Sequence, residues 1–145
     1  MTAKAHILPL RVYYEDTDAA GIVYHANYLR FMERGRTEFL RELGHDLAAL
    51  RAGTGINWAV KRLAIEYIAP GRLDEALLVV TTVEALRGAS VDLRQQVKRG
   101  DTMLTDSTLT LVCMNAAGRP VRLPPDARRA LGERAITARD DMTPD

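Results

Sequence analysis

Cysteine occurs once in this chain of 145 residues, at Cys113. No intrachain disulfide can form, and a reducing cytoplasm is the expected compartment. Histidine is scarce as well: His6, His25 and His45 occur with no C-x-x-C pair and no H-x-x-x-H spacing, so neither a metal nor a cofactor is expected. The two serines, Ser90 and Ser107, both lie outside any G-x-S-x-G sequence, which excludes a nucleophile-elbow hydrolase. Walker loops and G-x-G-x-x-G are missing too, so nucleotide binding in those modes is unsupported. Nowhere do about 18 apolar residues run uninterrupted, and the first residues lack the apolar stretch of about 7–15 that an export signal needs. Neither membrane insertion nor export is expected. No charge of one sign dominates: 20 basic against 19 acidic residues leave a formal +1, so no whole-molecule field draws in nucleic acid. Any anion site must be local.

What is present is one domain's worth of ordinary globular sequence, with 47% apolar and 27% charged residues. The expected layout is a single domain over residues 1–135 and a polar tail over 136–145. Residues 7–15 read as a first strand, rich in β-branched and aromatic residues. A loop follows from Asp16 to Gly21, whose glycine can take a positive φ.

From about His25 to Leu43 the pattern turns helical, with Tyr28, Met32, Gly35, Phe39 and Leu43 on one stripe, widened by Leu29 and Leu40. Gly44 is the expected stop. Gly35 sits on the apolar stripe, where it costs about 1 kcal/mol relative to alanine, and close approach of a packed sheet explains it. Residues 46–52 read as one more short helical turn.

The period then changes to two, with strands expected at 57–68, 76–87, 90–99 and 102–115. In the third of these Val91, Leu93 and Val97 alternate with Asp92, Arg94, Gln96 and Lys98. A phase slip near Lys61 predicts a bulge, and 88–90 and 100–101 predict hairpin turns. Residues 124–131 predict a short closing helix with proline near its start. One long helix with one apolar stripe, covered by one curved antiparallel sheet, is an α+β two-layer solution. It leaves sheet edges and one face needing cover, so self-association is expected.

The segment Tyr14-Glu15-Asp16-Thr17-Asp18-Ala19-Ala20-Gly21-Ile22-Val23-Tyr24-His25-Ala26-Asn27-Tyr28 closely resembles the D-x-D-x-x-G-x-V-[YF]-[HY]-x-N-Y signature of the 4-hydroxybenzoyl-CoA thioesterase family of hotdog proteins. Within it the chain looks most like the Tol-Pal-associated acyl-CoA thioesterases. The likeness continues through Glu33-Arg-Gly-Arg-Thr-Glu-Phe-Leu, Tyr67-Ile-Ala-Pro-Gly-Arg-Leu and Gly118-Arg-Pro. Gly35 and Gly71 depart from it, standing where alanine is expected. The resemblance implies a hotdog fold, an acyl-CoA substrate, and a homodimer or homotetramer with active sites at the subunit interface. It implies that Asp18 is the catalytic carboxylate and that His25, at the start of the central helix, assists. A link to the Tol-Pal envelope system rests on this likeness alone.

Both roles have a physical sense. First-turn N–H groups of a helix lack intrahelical partners and carry the positive end of its dipole. A thioester carbonyl placed there has its developing oxyanion stabilised, one donor being worth about 3–4 kcal/mol; the backbone N–H of His25 is the candidate. Coenzyme A leaves as a thiolate with a thiol pKa of about 8.5, so one carboxylate suffices. Asp18 either activates water or attacks the carbonyl to give a mixed anhydride. Taken alone, an aspartate in such a loop is a cap or a solvated turn residue. Asp16 fits that description, and the whole motif is what separates Asp18 from it.

Tyr14, Tyr24 and Tyr28 read as core or pocket wall, with Tyr24 a candidate substrate contact. Asn27 is expected to bond loop backbone, and Arg36 and Glu38 to fix the helix against the sheet. Lys61 and Arg62 are the leading candidates for the coenzyme A phosphates, with Arg87, Arg94, Lys98 and Arg99 behind them. Two other readings stay open: a hotdog hydratase or dehydratase on acyl thioesters, and a non-catalytic acyl-CoA-binding or partner-docking subunit.

Overall fold

The computed structural model describes residues 4–44, 53 and 55–136. The expected turn at 46–52, His45 and the tail beyond residue 136 lie outside them. Strand β1 spans His6–Arg11, helix α1 Asn27–Glu42, and strands β2 to β5 span Asn57–Tyr67, Ala76–Leu86, Ser90–Arg99 and Thr102–Met114; helix α2 spans Pro125–Arg134. The five strands form one antiparallel sheet in the order β1-β3-β4-β5-β2. Helix α1 packs on one face of it, which is the α+β architecture expected.

Alternation decides which face of the sheet meets α1. Leu77, Val79, Thr81 and Val83 of β3 are buried, as are Val91, Leu93, Gln95 and Val97 of β4. Against them α1 turns Tyr28, Phe31, Met32, Gly35, Phe39 and Leu40. Full burial of Phe31, Met32 and Phe39 contributes about 1.5–3 kcal/mol each. At Gly35 the helix comes close to the sheet: a Cβ there would stand 2.7 Å from Val79 Cγ1 and 3.2 Å from Gln95 Nε2. The close approach read from the sequence is therefore real.

Gln95 is a polar residue on the apolar face. Its Nε2 donates to the Met32 carbonyl and to Thr81 Oγ1, both at 2.9 Å, and its Oε1 accepts from Arg36 Nη1 at 3.0 Å. Arg36 thus ties helix to sheet as expected. Glu38 does not; its partner is Arg41, one turn along the same helix. The bulge near Lys61 is present as a register shift between Val60 and Arg62. Gly44, at φ 85°, ends the helical segment.

Other expectations need correcting. The first strand stops at Arg11, and Tyr14–Asp16 forms a single 3-10 turn, because the Asp16 carboxylate captures the Tyr13 N–H at 2.8 Å and curls the chain. Tyr14 consequently projects into solvent, 83% exposed, rather than lining core or pocket. Leu29 is 37% exposed and is not among the buried residues of α1. Helix α1 starts at Asn27 rather than His25, since the Asn27 N–H closes a turn onto the Tyr24 carbonyl at 2.7 Å.

Candidate active site

The loop between β1 and α1 is held from three sides. Asp16 is buried; its Oδ2 takes the Tyr13 N–H and its Oδ1 accepts from Asn27 Nδ2 at 2.6 Å. Asn27 therefore bonds the loop twice, through its side chain to Asp16 and through its backbone N–H to the Tyr24 carbonyl. The Tyr24 N–H reaches the Asp16 carbonyl and the Asp18 N–H reaches the Ile22 carbonyl, both at 2.9 Å, folding the segment back on itself. Gly21 supplies the positive φ of 78° that this reversal requires. On the third side the Val23 N–H donates to the Gly71 carbonyl at 2.8 Å, pinning the loop to the segment after β2.

This folding puts Asp18 and His25, seven residues apart in sequence, on the wall of one cleft of about 370 Å³. Tyr28, Tyr67, Ile68 and Pro70 line it with them. Asp18 is exposed, and its Oδ1 accepts the Ala20 N–H at 2.9 Å, which fixes the carboxylate at the loop's own turn. The His25 carbonyl accepts the Tyr67 hydroxyl at 2.9 Å. Its N–H has no acceptor among the described residues. His25 stands two residues before α1, so its N–H lies at the approach to the helix's positive end rather than inside the first turn.

Tyr24 flanks the cleft, its ring 4.6 Å from that of His25 and half exposed. Tyr28 is buried; its hydroxyl oxygen accepts the Gly71 N–H at 2.9 Å. Burial holds the Tyr28 phenol above its ordinary pKa against the opposing Gly71 N–H, and burial likewise raises Tyr67. Arg99 braces the far wall, donating from Nη1 to the Pro70 carbonyl at 3.1 Å and to Glu75 Oε1 at 3.0 Å. The contributions of Tyr67, Pro70 and Arg99 escaped the sequence reading. The run from Tyr67 to Leu73 was the available signal, since its glycine and proline mark a chain that must pass close to something.

The basic candidates divide. Arg87 pairs with Asp92 at 2.6 Å, Arg94 with Asp106 at 2.7 Å, and Arg99 with Glu75. Lys61 and Arg62 sit on the edge strand β2, five to six residues from Tyr67. At about 3.4 Å per residue that separates Arg62 from the cleft by roughly 17 Å. Arg62 lines a different groove with Glu84, Asp92 and Thr110. Neither residue lines the cleft that holds Asp18. Among the described residues no cluster of three or more metal-ligating side chains occurs, and no helix is long and apolar enough to cross a membrane.

Comparison with known proteins gives a concordant set of likenesses. The family pattern described as the thioesterase superfamily matches residues 20–123. The acyl-CoA thioesterase YbgC of Haemophilus influenzae is 42% identical over 123 residues, covering 84% of this chain and 90% of that protein. The crystal structure of a probable thioesterase from Bartonella henselae superposes with a TM-score of 0.80 at 36% identity, covering 83% of this chain and 99% of that one. A 4-hydroxybenzoyl CoA thioesterase crystallised with 4-hydroxybenzoyl CoA superposes with a TM-score of 0.83 at 20% identity, covering 89% and 99% of the two chains, a likeness of fold.

Proposed function

The chain belongs to the thioesterase superfamily, and from that premise and the cleft beside α1 we infer that it hydrolyses acyl-CoA thioesters to a free acid and coenzyme A. The observation that carries the reading is the meeting of Asp18 and His25 on one cleft wall, at the electropositive approach to a helix. In the proposed chemistry the thioester carbonyl lies against the His25 N–H, which stabilises the oxyanion as it forms. Asp18 takes a proton from a water molecule; the water oxygen bonds to the carbonyl carbon, and the C–S bond breaks to release the coenzyme A thiolate. The alternative is attack by Asp18 itself, giving a mixed anhydride that water then opens. The His25 ring assists by hydrogen bonding to the carboxylate, the water or the departing sulfur.

The active unit is a homodimer or homotetramer, with the cleft at a subunit interface. Two observations support this. Asp18 is open to solvent in the single chain, and Tyr24, Tyr67 and Ile68 form an apolar rim around the mouth, from 46% to 54% exposed, a surface that a second subunit would cover. Lys61 and Arg62 then reach the coenzyme A phosphates from the neighbouring subunit, and the enzyme works in the cytoplasm on soluble acyl-CoA.

The test is a thiol-release assay over acyl-CoAs of graded length and an aromatic acyl-CoA, with crotonyl-CoA followed for hydration. Thiol release without hydration is the expected result. Hydration of crotonyl-CoA would move the chain to the hydratase reading, and binding without turnover of any substrate would make it an acyl-CoA-binding subunit.

A further inference from the structure

The Tyr28 hydroxyl stands apart from the other polar groups of the cleft. Its residue is 3% exposed, yet it lines the cavity that holds Asp18 and His25. The oxygen accepts the Gly71 N–H at 2.9 Å, and the hydroxyl hydrogen has no acceptor among the described residues. Much of the neighbouring wall is apolar, with Ile22, Val23, Ile68 and Pro70 beside it. A buried donor left unmet costs about 1–3 kcal/mol. A hydroxyl turned outward on a helix would avoid that cost, whereas this one is held in place by a backbone N–H.

That N–H also settles which part of the hydroxyl is occupied. Gly71 uses a lone pair, so the O–H is left to donate toward the cavity. The fit around it is close: a Cβ at Gly71 would lie 3.3 Å from the Tyr28 oxygen and 3.2 Å from Val23 Cγ2. The phenol, raised by burial, stays protonated through the neutral range. Arg99 and Glu75 act on it in opposite directions, Tyr67 acts with Glu75, and Asp18 and His25 share its cleft.

Resting on the thioesterase reading above, we propose that the Tyr28 hydroxyl is a second oxyanion donor, hydrogen bonding to the thioester carbonyl oxygen alongside the backbone N–H of His25. A neutral donor suits this place. The cleft already contains the Asp18 carboxylate, and negative charge gathers on the carbonyl oxygen as water adds, so a donor whose bond strengthens with that charge lowers the barrier without tightening ground-state binding. Tyr28 transfers no proton in this role.

Two variants test it. Tyr28→Phe removes the donor, and kcat should fall on the order of 10²-fold with KM little changed. Because Tyr28→Phe also deprives the Gly71 N–H of its acceptor, a ring-fluorinated tyrosine installed at position 28 separates the roles. It keeps the oxygen for Gly71 but is more acidic, so activity should persist near neutral pH and the alkaline limb of the kcat profile should move to lower pH as the donor ionises. Wild-type kcat in Tyr28→Phe overturns the proposal. So does an alkaline limb unmoved by fluorination, even where Tyr28→Phe is inactive or fails to fold. Absence of thiol release in the wild-type protein sinks the thioesterase reading and this inference with it, whereas loss in Asp18→Asn with full activity in Tyr28→Phe sinks this inference alone.

Discussion

The side-chain amide of Asn27 donates to Asp16 Oδ1 at 2.6 Å, joining two residues that flank both Asp18 and His25. The loop that carries Asp18 and the segment that carries His25, the proposed oxyanion donor, are thereby locked at both ends by one buried pair. Asp16→Ala frees the Tyr13 N–H and the Asn27 amide together. We expect it to lower stability by about 1.5–3 kcal/mol, the range for hydrogen bonds to a charged group, and to reduce kcat by tenfold or more, on the order of the loss that small misplacement of a catalytic group causes. A double-mutant cycle with Asn27→Ala should be strongly non-additive. Additive losses would show that the pair does not act as a unit.

Gln95 is the polar knot under the middle of α1, satisfying Met32, Thr81 and Arg36 at once. Burial already pulls the Arg36 pKa down. Gln95→Leu keeps the volume but leaves the half-buried guanidinium without its acceptor, and should cost about 2–3 kcal/mol in urea unfolding. A loss within experimental error would mean that the helix is held by its apolar stripe alone.

Asp106 gives a pH signature unrelated to catalysis. Its hydrogen bond from Arg94 holds its pKa below the ordinary carboxylate value. A carboxylate with a lowered folded-state pKa contributes stability above its unfolded pKa of about 3.9 and loses that contribution as pH falls through the folded value. The pair is partly exposed, with Arg94 at 43% and Asp106 at 30%, so screening limits it to under about 1 kcal/mol. Asp106→Asn should therefore unfold at slightly lower denaturant than wild type at pH 7, and the two curves should converge once the pH falls below the lowered folded-state pKa. A difference that persists at low pH would point to packing rather than charge.

Lys61 and Arg62 test the oligomer. Lys61→Ala and Arg62→Ala should each raise KM for acyl-CoA about tenfold, the worth of one charge-assisted phosphate contact, and should leave KM for the matching acyl-pantetheine thioester where it was. Light scattering should give a dimer or tetramer. A monomer with full activity would remove these residues from phosphate binding, since β2 carries them away from the cleft of their own chain.

Much of this was legible in the sequence because the signals were local. Period-two alternation marked β3 to β5 to within a residue or two, the phase slip marked the bulge at Lys61, and Gly35 announced the close helix–sheet contact. The segment from Asp16 to Tyr28 marked the candidate site, whose Asp18 and His25 line one cleft. What stayed hidden depends on contacts across long separations. Gln95 reads as one more polar residue of an alternating strand until the helix lies on it. Tyr14 reads as strand until the Asp16 carboxylate curls the backbone. The pairing of Arg87, Arg94 and Arg99 with carboxylates is a feature that composition could not show.

The most direct test is single-turnover thiol release by Asp18→Asn beside wild type. Asparagine keeps the size and the oxygen that accepts the Ala20 N–H while removing the basic and nucleophilic charge. We expect the rate of the chemical step to fall about 10²–10⁴-fold, with acyl-CoA still bound. An unchanged rate would contradict the role of Asp18 and with it the site.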